Sequence, residues 1–371
     1  INPIQFGATS INTGYDNYYQ HRFGITYTQP LLKNAFGSLD RIPYSIQKIL
    51  LKDTQNRVKE NLEYFYLNMI QEFLSYLQLE KQFNIAEIRY DLAEKLFYQT
   101  EQKYSDKIIQ KKEYIASTDR LRMSEQLYIL TKSQYIGKRN LILNNIGIYD
   151  VDNPRILSEK ISFNLYDLPD LSDYKKNIKN LVKKTRQYRS LELKKQVLYL
   201  QKDSTEHKLR PNLDLILGYG LASGAEKLKD SQDFDKPDTT VSISFNYPFG
   251  NSRNNADINK TIISLKQIDY ELTYMTDLLS GQANNLLIQL DGLRKVIKLN
   301  FRNIESATLA IEEETRLYEQ GQSSFSSLIQ SQDNEKNMRL QLIQNAIQYY
   351  KLYYQFLALI DQLDNDLEIT L

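Results

Sequence analysis

Val241-Ser242-Ile243-Ser244-Phe245-Asn246-Tyr247-Pro248 alternates apolar with small polar residues, the period-2 pattern of a strand with one apolar face. A tract running from Ser252 to about Tyr318 follows it, interrupted only by Gly281 and Gly292. The same order occurs once before. Phe23-Gly24-Ile25-Thr26-Tyr27-Thr28-Gln29-Pro30 alternates in the same way, and from about Asp40 to Gln102 there is no Gly. Pro43, the one Pro of that tract, falls where the first helical turn is expected and Pro is tolerated. Leu62, Phe65, Met69, Phe73 and Tyr76 recur on it at the three-to-four spacing of an amphipathic helix. At 1.5 Å per residue, a tract of about 65 residues spans on the order of 100 Å, far more than a globular domain. Length without Gly or Pro reads as coiled coil or helical barrel.

Each alternating segment is preceded by a second candidate strand opened by Pro, Pro3 to about Thr13 and Pro211 to about Gly224. In the latter Leu213, Leu215, Leu217, Tyr219 and Leu221 share one face, with Asn212, Asp214, Gly218 and Gly220 opposite. Two β-hairpins are therefore expected in a helical chain. They expose an internal repeat. Pro30 aligns with Pro248 at an offset of 218, while Tyr104 with Tyr318, Ser117 with Ser331, Asp119 with Asp333 and Tyr135 with Tyr349 align at 214. The four-residue change is about one helical turn, expected to be lost inside the long helix of the second half. Repeat 1 covers 1–143: a hairpin at about 3–30, a long helix at about 40–102 and a return helix at about 108–143. An irregular connector, 144–173, carries Gly147, Pro154 and Pro169. Repeat 2 covers 174–371: a helix to about 207, a hairpin at about 211–248, a long helix at about 252–318 and a return helix at about 323–361. Ile343, Ala346, Tyr350, Tyr353, Leu357 and Ile360 form one stripe of that last helix.

Composition excludes much else. The 371 residues carry 47 Lys+Arg against 46 Asp+Glu, a net +1, which argues against attachment to nucleic acid by bulk charge. With no Cys there are no disulfides, thiolate nucleophiles or Cys-ligated metals. His21 and His207 are the only histidines, too few for a His metal site or a triad. No phosphate-cradling Gly loop or metal-ligand spacing occurs, so no enzyme activity and no cofactor are expected. No stretch of eighteen uncharged apolar residues exists to make a transmembrane helix. There are 28 Tyr and no Trp, and only 13 Gly and 8 Pro, which fits a few very long elements.

Tyr318-Glu319-Gln320-Gly321, then Leu328-Ile329-Gln330-Ser331-Gln332 and a helix ending Tyr353…Leu357, resembles the second-repeat hairpin of TolC-like outer-membrane efflux proteins. The strands ending Gln29-Pro30 and Tyr247-Pro248 look like that family's, and the resemblance runs through the whole duplicated chain. It implies a mainly α fold with a small β part: a trimeric barrel of very long helices continued by a 12-stranded transmembrane β-barrel, four strands per chain. It also implies a passive channel for efflux or type I secretion, spanning the outer membrane of a Gram-negative bacterium and the periplasm. Its partners would be a periplasmic adaptor, an inner-membrane pump or ABC transporter, and outer-membrane lipid, with no nucleic acid. A soluble elongated helical scaffold or adaptor is the alternative.

In the channel reading Phe23, Ile25, Tyr27, Val241, Ile243, Phe245 and Tyr247 face lipid, while Gly24, Thr26, Thr28, Ser242, Ser244 and Asn246 face a watery lumen. The hairpin tips, which would dock the adaptor, fall at Lys107 and Ile108 and at Gly321 and Gln322. The family closes its inner end with an acid bonded to a Tyr and an Arg. Here those positions hold Glu113, Tyr318 and Ser323, so the Arg contact is missing and the gate should open more easily, or use Lys107, Lys111 or Lys112. The family's acidic ring falls on Ser327 and Gln330. Repeat symmetry also predicts about 35 helical residues ahead of Pro3, matching the helix expected from Ser172 to His207. The second hairpin loop, Ala225 to Asp238, has eight charges in fourteen residues and should lie outside the cell.

Overall fold

The computed structural model describes residues 5–8, 19–148, 164–226, 236–247 and 249–363. The first hairpin turn, most of the charged second loop, the start of the connector and the extreme termini lie outside these residues. Strands β1 (Gln5–Ala8) and β2 (Tyr19–Pro30) precede helices α1 (Ser38–Ser105) and α2 (Lys111–Asn145). After the connector come α3 (Ser172–Val182) and α4 (Arg186–Lys208), strands β3 (Asn212–Ala225) and β4 (Lys236–Asn246), and helices α5 (Ser252–Glu319) and α6 (Phe325–Leu359).

The repeat is carried by the helices residue for residue. Both α1 and α5 have 68 residues and both α2 and α6 have 35, each pair 214 apart. The expectation that four residues are lost inside the second long helix is therefore corrected. Eight positions separate Pro30 from Ser38, but only four separate Pro248 from Ser252. The surplus is wound into a tight connector before α1, where Asn34, Phe36 and Gly37 all take left-handed backbone. Asn34 Oδ1 accepts from Leu39 N–H at 2.9 Å, satisfying one of the donors that the start of α1 leaves open. A second correction concerns the helix expected from Ser172 to His207. It is two helices, interrupted where the buried Thr185 hydroxyl donates to Val182 carbonyl at 2.7 Å and competes with the helical ladder.

The chain divides into two compact units, Ile1–Val58 with Arg186–Thr276, and Lys59–Thr185 with Asp277–Leu371. In the first, β1-β2-β3-β4 form one antiparallel sheet, and β2 pairs with β3 so that the two hairpins are continuous. Helix α4 is tied to the start of α5 by Lys195–Asp269 at 2.6 Å and to the start of α1 by the Ser190 hydroxyl, which donates to Asp53.

In the second unit α1 and α2 mesh through two seams of strict seven-residue period. Tyr76, Phe83, Tyr90, Phe97 and Tyr104 on α1 alternate with Tyr135, Tyr128 and Tyr114 on α2. Tyr135 lies 5.6 Å from Tyr76 and 5.4 Å from Phe83 between ring centroids, Tyr128 lies 5.7 Å from Phe83 and 5.4 Å from Tyr90, and Tyr114 lies 5.0 Å from Tyr104. The second seam is small: Ala86, Ala93 and Thr100 on α1, and Ser117, Ser124 and Thr131 on α2, all buried. Small residues let the backbones approach, and the rings fill the space beside them. A sustained heptad keeps both seams in line only if the helices supercoil left-handedly. The apolar core is densest around α6, where Ala346, Ile347, Tyr349, Phe356 and Leu357 are all at least 98% buried. There Tyr349 and Tyr350 donate to the carbonyls of Pro169 and Asp167, and Arg294 donates to Leu168 and Pro169, which fastens the connector.

Candidate functional site

The two helical hairpins of the second unit turn by one device. Ile108 N–H donates to Lys103 carbonyl at 2.9 Å and Lys107 N–H to Tyr104 at 3.0 Å. Gln322 N–H donates to Leu317 at 2.8 Å and Gly321 N–H to Tyr318 at 3.0 Å. Such a closing pair needs left-handed backbone at the residue after the helix, φ 58° at Lys107 and 70° at Gly321. Gly321 adopts it freely, whereas Lys107 does so against its Cβ.

Beside these turns the structure brings Glu113 and Tyr318 into one neighbourhood. Burial raises the Tyr318 phenol above its ordinary value and the Glu113 charge adds to this, while Thr100 opposes it. The phenol therefore stays protonated, able to donate. The ring packs on Phe325 at 6.0 Å, and Lys103 Nζ stands 4.9 Å over it. Ser323 is not joined to Glu113, because its hydroxyl donates to Glu314 on α5. The cation that meets Tyr318 is thus Lys103, one turn before the tip. Sequence reasoning named Lys107, Lys111 and Lys112 instead; only the packing of α1 against α5 selects Lys103. A cleft of about 710 Å³ between α2 and α6 is lined by Glu113, Asp119, Arg120, Phe325, Ile329 and Asp333.

Farther along, α6 is clamped to the first-repeat hairpin by two ionic groups that sequence reasoning missed. Glu335, only 4% exposed, accepts from Arg89 on α1 and from Arg339. Asp333 accepts from both terminal nitrogens of Arg120 on α2, at 2.6 and 3.0 Å, and from Lys336 at 2.9 Å. Glu335 occupies the position equivalent to Leu121, and a lone acid on an apolar heptad position was the available signal. Among the described residues, Glu60, Glu63 and Asp361 bring carboxylate oxygens within 4.8 Å of one another. Each has other interactions, and exposed acidic groupings are common without an ion.

In the first unit, paired positions across the sheet share a face. Phe23–Leu221, Ile25–Tyr219, Tyr27–Leu217–Val241, Leu215–Ile243 and Leu213–Phe245 make one face largely apolar, interrupted by Gln29 beside Leu215 and Thr239 beside Tyr219. On it Phe23, Ile25, Tyr27, Val241, Ile243 and Phe245 are exposed, Val241 to 69%, as is Tyr247 just beyond β4. The other face pairs Gly24 with Gly220, Thr26 with Gly218 and Thr240, and Thr28 with Ile216 and Ser242. The outer edges of β1 and β4 are unpaired among the described residues. No described helix is long and apolar enough to cross a membrane.

No family model and no curated protein sequence matches the chain. Solved structures do, and the class they define is that of outer-membrane channels, whose fold this chain has. CusC, in structures recording transmembrane channel formation, is 13% identical over 96% of this chain and 82% of its own, with a TM-score of 0.72. The outer-membrane protein VceC of Vibrio cholerae is 11% identical over 97% and 85%, at 0.69. The CmeC outer-membrane channel of Campylobacter jejuni is 12% identical over 97% and 77%, at 0.67. The mainly α architecture with its small sheet is therefore the one the TolC-like resemblance implies.

Proposed function

We propose that this protein is an outer-membrane exit duct, a homotrimer whose sheets close into a 12-stranded barrel in lipid and whose helices extend into the periplasm. The observation that carries this reading is the sheet: one face largely apolar with most of its large side chains exposed, the other mostly small or polar, and both edges open among the described residues. In water such a face invites aggregation; in a bilayer it is the required outer surface. Open edges in lipid cost several kcal/mol per unsatisfied group, so the sheet must close through other copies. Two copies give eight strands, a barrel that side chains fill, whereas three give twelve and a water-filled lumen.

In this reading no covalent chemistry is performed, and transport is passive. The tips at Lys107–Ile108 and Gly321–Gln322 dock a periplasmic adaptor, which couples the duct to an inner-membrane pump or ABC transporter for efflux or type I secretion. Glu113, Tyr318 and Lys103 close the inner end, and the hairpin loops face outside the cell. Fractionation tests the core of this proposal. The protein should stay with membranes through high-salt washing and leave only with detergent, as an oligomer of three. Release by salt alone would instead support the soluble scaffold.

A further inference from the structure

The polar face of the sheet carries charge at few places. Asp214 pairs with Pro30 and Ser244. Moving along the same face toward the loops, the next positions are Thr28, Ile216 and Ser242, then Thr26, Gly218 and Thr240. Among the side chains described on this face, Asp214 and Asp238 are the ionisable ones. Asp238 stands two residues from Lys236, and the backbones of Lys236 and Arg22 both pair with Ala222 at the loop end. Asp214 lies eight residues from that row, about 27 Å at about 3.4 Å per residue. This exceeds the roughly 8 Å Debye length of physiological salt, so a basic row at that distance does not neutralise it. Its carboxylate has no ion pair among the described residues.

We infer that Asp214 is the charge-selecting element of the duct, a ring with one carboxylate from each copy that favours cations over anions at the helix-proximal end of the β lumen. The inference rests on the duct reading, in which the polar face is the lumen. The positions to which the family resemblance assigns an acidic ring, Ser327 and Gln330, are neutral in this chain. In the sheet, Asp214 supplies a fixed negative charge. There the remaining described lumenal positions near Asp214 are hydroxyl, amide or apolar groups that neither bind nor repel an ion by net charge. Low-dielectric walls around an aqueous path strengthen the field of such a ring.

The test is the reversal potential of the purified protein in a planar lipid bilayer under a tenfold KCl gradient. The expected cation-to-anion permeability ratio is above one, because fixed carboxylates attract cations into the path and repel anions. Asp214→Asn should bring it to about one with conductance kept, and Asp214→Lys below one, while Asp238→Asn should leave most of the preference. A native channel without cation preference, or an unchanged ratio in a conducting Asp214→Asn channel, overturns the inference while leaving the duct intact. Absence of conductance from both the native protein and the Tyr318→Phe variant, whose inner closure is loosened, removes the duct reading and this inference with it.

Discussion

Between α1 and α2 the seam is a column of interleaved rings; 214 residues on, the same positions of α5 are Leu290, Ile297, Ile304, Ile311 and Tyr318. On the return helices Tyr114, Leu121, Tyr128 and Tyr135 are matched by Leu328, Glu335, Leu342 and Tyr349. Helix lengths and turn geometry are nonetheless the same in both hairpins. The shared backbone is thus set by the heptad period and the closing turn, and the chemistry of the seam is free to differ. The difference has a use. An aliphatic seam tolerates one buried acid, Glu335, which reaches across to Arg89 and ties the second hairpin to the first. In the ring column the equivalent site is filled by Leu121.

The largest effect should come from that tie. Glu335→Ala leaves two guanidiniums without their shared carboxylate, and a loss of about 3–5 kcal/mol is expected in denaturant titration of the helix signal. Replacing both Glu335 and Arg89 by Leu, which gives position 335 the residue of its counterpart, should recover most of it. A cost under about 1 kcal/mol for the single variant would show that the clamp does not hold the hairpins together.

Exchanging seam residues comes next. Tyr128→Leu, which imports the residue of position 342, removes ring contacts with Phe83 and Tyr90 and should cost about 1–3 kcal/mol. The reverse change, Leu342→Tyr, overpacks a buried site by a similar amount. If neither swap moves the unfolding midpoint, the two seams are interchangeable and the stacking contributes nothing.

Acid should then weaken the second tie. Burial alone would raise the Asp333 carboxyl, but hydrogen bonds from Arg120 and Lys336, together with their charges, hold it below the ordinary carboxylate value. A depressed folded value means full stabilisation above the unfolded value of about 3.9, lost as pH falls through the lower folded one. The pair is 34% exposed at Asp333, so about 1 kcal/mol or less is at stake. Unfolding free energies of the native protein and of Asp333→Asn should differ at pH 7 and converge as pH falls through the depressed folded value; a constant difference would rule out this titration.

The smallest effect distinguishes the turns. Lys107→Gly should stabilise by about 0.5–1 kcal/mol, because relief of left-handed strain exceeds the added entropy of the unfolded chain. Gly321→Lys should cost about the same. Thermal midpoints moving in the same direction for both would contradict the assignment of equivalent turns.

The periodicities are legible in the amino-acid sequence alone. Alternation at Phe23–Tyr27 and Val241–Tyr247 sorts the sheet faces, and long Gly-poor tracts mark α1 and α5, because side-chain direction in strands and helices follows local spacing. The 214-residue offset likewise locates both turns. What local spacing does not reach is every choice among distant partners. Arg89 meets Glu335 across 246 positions and Arg120 meets Asp333 across 213. Lys103 and not Lys107 stands over Tyr318, and Ser323 turns to Glu314. The break at Thr185 depends on a buried hydroxyl, and the continuous sheet depends on β2 meeting β3 rather than each hairpin standing alone. A period fixes which residues share a face. Which face meets which is decided by packing and by where charges escape water, and that exists only in the folded chain.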